Sequence, residues 1–319
     1  MKFLEHAFNQ PNQFWRYLLV FVGAFLGGQI IGSIPLMCVA MAKSLSSGVV
    51  SDPNPIVNLM ELGISKNLLL FLIMLAPLTS LIATILLIKL LHKSSFSETV
   101  NGTKKLRIRR MISGAVVWGI LMAAYLLIDN LINPDNYILQ FDLSKFIPLF
   151  LISLVFIPLQ TTSEELLFRG YLAQGIAGWT KNRWLALFIP ALVFGLTHAF
   201  NPEVGTFGFW QTMPQYILFG LIFGLIAILD DGIELAIGMH AVNNVFLSLF
   251  TTNAASALQT DAVFEQINIH PGKETVVLVL SGIITIAYFA WKYKWNFKIL
   301  NIKPKVQETV RAEYSDNSF

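Results

Sequence analysis

The chain has 319 residues, of which 55% are hydrophobic and 13% are charged, and its mean hydropathy is +0.63. Ordinary globular domains carry about 25% charged residues, so this composition excludes a typical soluble protein and indicates one embedded in a lipid bilayer. The net charge of +3 is small, and its distribution favours loops beside a membrane over nucleic-acid binding. The single cysteine, Cys38, excludes an internal disulfide and is interpreted as a packing residue.

Apolar runs along the chain predict an all-α polytopic integral membrane protein with about eight transmembrane helices. The first run, residues 17–42, is longer than the apolar core of a signal peptide, about 7–15 residues, so we expect a retained helix. The other seven runs are residues 68–88, 111–128, 146–179, 184–200, 213–229, 233–250 and 275–291. Residues 43–67 are predicted to form a polar loop.

The runs suggest a division into three parts. Residues 1–145 hold the first three helices, residues 146–251 form a core of helices four to seven, and residues 252–319 hold the last helix and a basic cytoplasmic tail. With both termini cytoplasmic, seventeen Lys and Arg residues lie inside, within residues 1–16, 89–110, 181–183 and 292–311. Four lie outside, namely Lys43, Lys66, Lys145 and Lys273. This bias predicts insertion in the bacterial cytoplasmic membrane with both termini cytoplasmic.

Residues 161–170 place two adjacent carboxylates and an arginine between apolar sequences. A charged group in hydrocarbon costs at least about 2.5–3.5 kcal/mol, so such groups mark a function or a pairing partner. Glu165 and Arg169 have the spacing and order of a helical ion pair. Glu164 is five residues from Arg169, so it lacks that partner and is available as a base. The alternative is a helix capping box formed by Thr161 and Glu164.

Two later helices carry further polar groups. Phe194 and His198 share one helical face, as do His240 and Asn244, while the neighbouring Asn243 is the less favoured partner. If a helical hairpin turns at residue 181, Glu164 and His198 lie at similar depth, about 25 Å along their helices. The alternative for each histidine is a hydrogen bond between helices.

This set of groups suits the hydrolysis of an amide bond. A glutamate with a histidine takes a proton from water, and histidine and asparagine donate hydrogen bonds to a developing oxyanion. Glu164, His198 and His240 are also possible ligands for a divalent metal such as zinc. The sequence lacks a His-Glu-x-x-His motif, so we favour a mechanism without a metal cofactor.

The three pairs also resemble, in order, the three motifs of a known family. The chain is similar over roughly residues 150–250 to the CPBP or Abi family, which contains type II CAAX prenyl endopeptidases and bacteriocin-processing or self-immunity proteins. The matching motifs are Glu164-Glu165-x-x-x-Arg169, Phe194-x-x-x-His198 and His240-x-x-x-Asn244.

The resemblance implies an intramembrane peptidase with an eight-helix core. It implies that Glu164 activates the water with help from His198, and that His240 and Asn244 stabilise the oxyanion. The residues that shape the site are then Glu165, Arg169 and Phe194. The expected partners are the bilayer and a membrane-associated or lipidated peptide or protein. A non-catalytic self-immunity protein, a metal-dependent protease and a transporter remain the alternatives.

Overall fold

The computed structural model describes residues 1–47 and 63–305. In that part of the chain six helices are long and apolar enough to cross a membrane: Phe14–Ser46, Lys66–His92, Ile108–Ile132, Leu143–Thr180, Phe209–Leu229 and Pro271–Tyr293. Two shorter apolar helices are Arg183–Thr197 and Glu234–Phe250. The all-α polytopic membrane fold is therefore confirmed, and each predicted apolar run coincides with one of these helices.

The helices are numbered here in chain order. They are α1 (Phe14–Phe21), α2 (Gly28–Ser47), α3 (Lys66–His92), α4 (Phe96–Asn101), α5 (Ile108–Ile132), α6 (Leu143–Glu164), α7 (Ala173–Thr180), α8 (Arg183–Thr197), α9 (Pro202–Phe207), α10 (Phe209–Leu229), α11 (Glu234–Phe250) and α12 (Pro271–Tyr293). Two π-helical segments, Val22–Gly27 and Glu165–Leu172, join α1 to α2 and α6 to α7. Short 3₁₀ helices cover Leu4–Asn9, Pro134–Asn136 and Phe297–Asn301.

Two predicted boundaries are wrong. The fifth span was expected to reach residue 200, but α8 ends at Thr197, and His198 leaves the helix with φ −97° and ψ 2°. The first span continues beyond residue 42 through the end of α2, so Lys43 lies in a helix rather than in a loop. The remainder of the predicted polar loop, residues 48–62, and the predicted tail beyond residue 305 lie outside the described residues.

The capping-box alternative for Thr161 and Glu164 is also wrong. Thr161 lies inside α6, where its hydroxyl donates to the carbonyl oxygen of Pro158 at 3.2 Å instead of capping a helix start. A capping box is formed elsewhere, at the start of α4, by Ser95 and Glu98. The serine hydroxyl accepts from the amide of Glu98, and the Glu98 carboxylate accepts from the amide of Ser95. The carboxylate of Glu164 is therefore free of a capping role.

A small sheet lies at one end of the helix bundle, which we call the sheet end. Its strands are β1 (Tyr137–Leu139), β2 (Thr251–Thr252) and β3 (Phe264–Gln266), in the order β1-β3-β2. β3 pairs antiparallel with β1 and parallel with β2. Because β1 follows α5 and β2 follows α11, the sheet ties together the ends of these two helices. The apolar-run analysis did not predict these short strands.

The opposite end of the bundle, which we call the basic end, is held by ion pairs between half-buried arginines and buried acids. Arg107 donates from Nε to Glu234 at 3.0 Å and lies 3.3 Å from Asp230. Arg110 lies 3.2 Å from the same aspartate. Burial raises the pKa of Asp230 to about 6, although both arginines act in the opposite direction. These contacts anchor the starts of α5 and α11 beside one another.

The N-terminal segment closes the basic end. The 3₁₀ helix Leu4–Asn9 lies in the core, with Phe3 only 1% exposed. The amides of residues 2 and 3 donate to the Asp231 carboxylate at 2.9 and 3.0 Å. Glu5 pairs with Arg183, which is itself buried at the start of α8. The segment therefore covers the basic end of the bundle beside Asp231 and the start of α8.

Glycine allows α5 and α11 to pack with their backbones in contact. A Cβ atom on Gly238 of α11 would lie 1.9 Å from the Met111 carbonyl oxygen of α5. A Cβ atom on Gly114 of α5 would lie 2.4 Å from the Leu235 carbonyl oxygen. The two contacts are reciprocal, so neither helix tolerates a side chain at this crossing. This close approach places the next turns of α5 and α11 side by side in the bundle.

Candidate active site

The carboxylate pair lies where an α-helix changes into a π-helix. α6 ends at Glu164, and the π segment begins at Glu165 and includes Arg169. In a π-helix the backbone hydrogen bonds run to the fifth residue, and such segments occur mostly as single turns at functional sites. The change from α- to π-helical hydrogen bonding falls between the two glutamates, whose side chains already point about 100° apart because they are adjacent on a helix.

Glu165 and Arg169 form the predicted ion pair. Arg169 Nη1 lies 3.0 Å from Glu165 Oε1, with 2% and 0% of the two side chains exposed. The guanidinium carbon also lies 3.9 Å from the ring centre of Phe194 on α8. An arginine over an aromatic face is stabilised by the ring quadrupole. Arg169 is thus held between a carboxylate and a ring, and the prediction of this ion pair is confirmed.

His240 joins the two carboxylates. Its Nδ1 lies 2.8 Å from Glu165 Oε1, and its Nε2 lies 3.7 Å from Glu164 Oε2. A carboxylate ion-paired with arginine is an acceptor only, so His240 donates from Nδ1. This bond orients the ring and directs Nε2 toward Glu164. Glu165 therefore acts on His240 as the aspartate of a catalytic triad acts on its histidine, by fixing the tautomer and orientation of the ring.

Glu164 has a different environment from its neighbour. Its side chain is 23% exposed, and Oε1 accepts a hydrogen bond of 2.6 Å from Gln160 Nε2. The sequence analysis left Glu164 without a partner and missed Gln160. The signal was present, because residues four apart on a helix face each other and glutamine pairs with acidic groups at that spacing. Glu164 is the accessible member of the carboxylate pair, and among the described residues its Oε1 accepts from Gln160 while its Oε2 faces His240.

His198 lies just beyond the end of α8. Its Nδ1 is 2.8 Å from the Phe194 carbonyl oxygen, which is an acceptor, so Nδ1 donates this bond, and in the neutral ring Nε2 is then an acceptor. The ring stacks on Tyr216 with centres 4.4 Å apart. The Phe194 ring lies between the histidines, with its centre 4.7 Å from His198 and 6.2 Å from His240. The structure thus brings His198 beside the site through Phe194, without a direct bond to Glu164.

Asn244 is connected to the carboxylates through Gln160. Asn244 Nδ2 donates to Gln160 Oε1 at 3.3 Å, and Asn244 Oδ1 accepts from Asn243 Nδ2 at 2.9 Å. Asn243, the residue disfavoured by the sequence analysis, also accepts from the indole of Trp118 at 3.1 Å. Trp118 was not singled out, because a tryptophan in an apolar run carries no sequence signal that separates it from packing.

Glu164, His198 and Asn244 are half-buried, whereas the π segment is buried from Glu165 to Tyr171. The more accessible groups and the buried groups meet at His240, which contacts both Glu164 and Glu165. Across residues 1–47 and 63–305, no three His, Cys, Asp and Glu side chains converge in the manner of a metal site.

Cys38 is exposed on α2, so its interpretation as a packing residue is wrong.

The fold and site together define a polytopic membrane protein with a carboxylate, imidazole and amide cluster between its helices. Residues 143–246 match the family model described as type II CAAX prenyl endopeptidase Rce1-like. The chain is 33% identical over 247 residues to the uncharacterized protein YyaK of Bacillus subtilis (strain 168), across 77% of this chain and 80% of that protein. No solved structure matches the chain.

The chain belongs to the type II CAAX prenyl endopeptidase Rce1-like family, in agreement with the resemblance of its three motifs. The matched segment begins at the first residue of α6 and ends within α11. It contains all seven motif residues.

Proposed function

We propose that the chain is an intramembrane endopeptidase that hydrolyses a peptide bond in a membrane-associated or lipidated peptide or protein. The proposal rests on the different environments of the Glu164 and Glu165 carboxylates. Glu165 is fully buried and paired with Arg169, while Glu164 is partly exposed and lies 3.7 Å from His240 Nε2. An accessible carboxylate that no arginine neutralises is available as the base that activates water. Family membership supports a protease of the CAAX type.

In the proposed reaction the oxygen of a water molecule attacks the carbonyl carbon of the scissile peptide bond. Glu164 takes a proton from the water, and His198, whose Nε2 is an acceptor, assists in its orientation. The carbonyl oxygen becomes an oxyanion, which His240 and Asn244 stabilise by hydrogen bonds. The C–N bond then breaks, and the proton held by Glu164 passes to the leaving amine. General acid–base catalysis of this kind contributes about 10²–10⁴-fold.

The oxyanion role places a condition on His240. Its Nδ1 already donates to Glu165, so donation from Nε2 requires that both ring nitrogens carry protons. The ring that this role requires lies between the carboxylates of Glu165 and Glu164. We therefore assign Glu165, which is itself fixed by its ion pair with Arg169, the task of holding the His240 ring in place.

We also propose a location in the bacterial cytoplasmic membrane, with the basic end and both termini on the cytoplasmic side. The basis is the excess of Lys and Arg at that end. The side of the site nearest the basic end is closed by fully buried residues of the π segment and, beyond them, by the N-terminal segment. We accordingly propose that substrate reaches Glu164 laterally from the bilayer.

The test is cleavage of a fluorogenic membrane peptide by purified protein in liposomes. Glu164→Gln, which keeps the size and polarity of the side chain, is expected to abolish cleavage with the fold intact. Asn244→Ala is expected to leave a trace, because loss of one oxyanion donor costs about 10²–10³-fold. Glu274→Gln is the matched control, since this glutamate accepts from Tyr125 at 2.7 Å, outside the site. Full activity of Glu164→Gln would refute the proposal.

Metal dependence is decided in the same assay. After treatment with a strong chelator and elemental analysis, the protein is expected to cleave the peptide at its original rate. Loss of activity that zinc alone restores would replace the proposed mechanism with a metal-dependent protease. A folded wild-type protein that is inert toward a broad peptide library would instead favour the non-catalytic immunity role.

A further inference from the structure

Four hydrogen bonds run in series from α5 through α11 to α6. Trp118 Nε1 donates to Asn243 Oδ1 at 3.1 Å, and Asn243 Nδ2 donates to Asn244 Oδ1 at 2.9 Å. Asn244 Nδ2 donates to Gln160 Oε1 at 3.3 Å, and Gln160 Nε2 donates to Glu164 Oε1 at 2.6 Å. The series, which we call the amide relay, ends on the carboxylate assigned as the base.

The direction of the amide relay is determined by its first member. An indole N–H is a donor only, so it must face the oxygen of the Asn243 amide. The nitrogen of that amide then faces Asn244, and the same argument passes through Asn244 and Gln160 to Glu164. The hydrogen-bond network thus assigns all three amide orientations. Reversing any one amide would place two acceptors or two donors against each other.

We propose that Trp118, Asn243 and Gln160 are positioning residues for Glu164 and Asn244, an inference that rests on the proposed peptidase function. The relay occupies Oε1 of Glu164, so Oε2, the oxygen 3.7 Å from His240 Nε2, is the one that takes the proton from water. It also turns Asn244 Nδ2 toward the carboxylate side of the site, where an oxyanion donor is needed.

Two features hold the first bond of the relay in place. Trp118 and Asn243 are 2% and 6% exposed, and hydrogen bonds that are shielded from water are electrostatically stronger. The indole also packs edge-on against Phe223, with ring centres 5.5 Å apart, which limits its rotation. Trp118 lies on α5, outside residues 143–246 that the family model covers. The relay therefore extends the site to a helix that neither the motifs nor the family model includes.

The first test compares catalytic constants in liposomes. Gln160→Met keeps the length of the side chain and removes the bond to Glu164, so kcat is expected to fall about 10–100-fold with KM unchanged. Trp118→Phe removes the donor at the far end, and kcat is expected to fall about 3–30-fold. The matched control is Trp184→Phe, which removes an indole bond of 3.0 Å to Asn301 Oδ1 away from the site. It is expected to leave kcat unchanged.

The second test asks whether the residues act as a unit. If they do, the double variant Trp118→Phe/Gln160→Met has the kcat of Gln160→Met alone, because the relay is already broken. Multiplicative losses would overturn the proposal. So would an effect of Trp118→Phe no larger than that of Trp184→Phe.

A third measurement does not depend on activity. In spectra of protein with ¹⁵N-labelled indoles, Gln160→Met is expected to shift the Trp118 signal, assigned by its absence in Trp118→Phe, and to leave that of Trp184 in place. An unmoved Trp118 signal would overturn the relay even in an active enzyme. Conversely, an inert wild-type protein with a shifted signal would refute the peptidase proposal and retain the relay.

Discussion

At the scale of single residues, the site shows how two neighbours of identical chemistry acquire different environments. Glu165 contacts Arg169 and His240 in full burial, whereas Glu164 contacts Gln160 and stays partly exposed. Counting residues to Arg169 was sufficient to predict which glutamate is paired. It was not sufficient to predict that His240 contacts Glu165, because that contact depends on the tertiary packing of α11 against the π segment.

Arg169→Ala tests the buried pair at this scale. The substitution leaves the Glu165 carboxylate without its counter-charge, so the free energy of unfolding is expected to fall by about 3–5 kcal/mol. Activity is expected to fall as well, because the acceptor that orients His240 is disturbed. Both quantities are measurable on detergent-solubilised protein, by chemical unfolding and by the peptide assay.

The double variant Glu165→Gln/Arg169→Met separates the two effects. It removes both charges, so much of the lost stability should return. If the Glu165 carboxylate is needed to hold the His240 ring, activity should remain low in the double variant. Unchanged stability in Arg169→Ala would show that the pair does not support the fold.

At the scale of elements, the sequence analysis located the helices and missed their local departures from regular geometry. Residues 146–179 read as one apolar run, and nothing in that run distinguishes α-helical from π-helical hydrogen bonding at Glu165–Leu172. The end of α8 before His198 was missed for a similar reason, since Ala199 and Phe200 continue the apolar pattern. The small sheet was not predicted, because its strands have only two or three residues each and show no alternating pattern of that length.

The crossing of α5 and α11 is tested by Gly238→Ala. The new Cβ atom would lie 1.9 Å from the Met111 carbonyl oxygen, which belongs to the backbone, so the helices must separate. Overpacking of this kind typically costs about 1–3 kcal/mol. We expect lower thermal stability and reduced kcat, because the separation also stretches the bond between Trp118 and Asn243. Gly272→Ala, at a position with open space around the Cβ atom, is the control.

At the scale of the whole molecule, the bundle has two unlike ends. Arg107 and Arg110 meet buried acids at the basic end, and the N-terminal segment packs over that end. The sheet closes the opposite end. Charge counting placed most basic residues on one side of the membrane, which stays a prediction, and the burial of the N-terminal segment was not predictable. Its residues carry a mixed composition that is equally typical of an exposed leader.

A pH dependence of stability is expected from the N-terminal segment. His6 is buried and its Nε2 lies 2.7 Å from Ser94 Oγ, and burial lowers the pKa of His6, although the charge of Glu98 acts in the opposite direction. A histidine with a lowered pKa contributes stability that is fully present above its unfolded pKa of about 6.5 and is lost as the pH falls through the folded value.

The measurement is the thermal midpoint at pH 7.5 and pH 5 in wild type and in His6→Gln. Glutamine keeps a polar contact with Ser94 and does not titrate, so the variant should lose less stability on acidification. An equal loss in both proteins would exclude His6 as a contributor.

The orientation in the membrane is tested by accessibility to an impermeant thiol reagent, after Cys38→Ser removes the native thiol. Gly170 and Gly232 border the site in sequence, but both are unsuitable, since a Cβ atom there meets Thr99 and Arg107 respectively. Lys181 and Asp135 are exposed and lie at the basic end and the sheet end. In intact cells Asp135→Cys is expected to react and Lys181→Cys to react only after permeabilisation. The reverse pattern would place the basic end outside, against the positive-inside rule, and would refute the proposed cytoplasmic location of both termini.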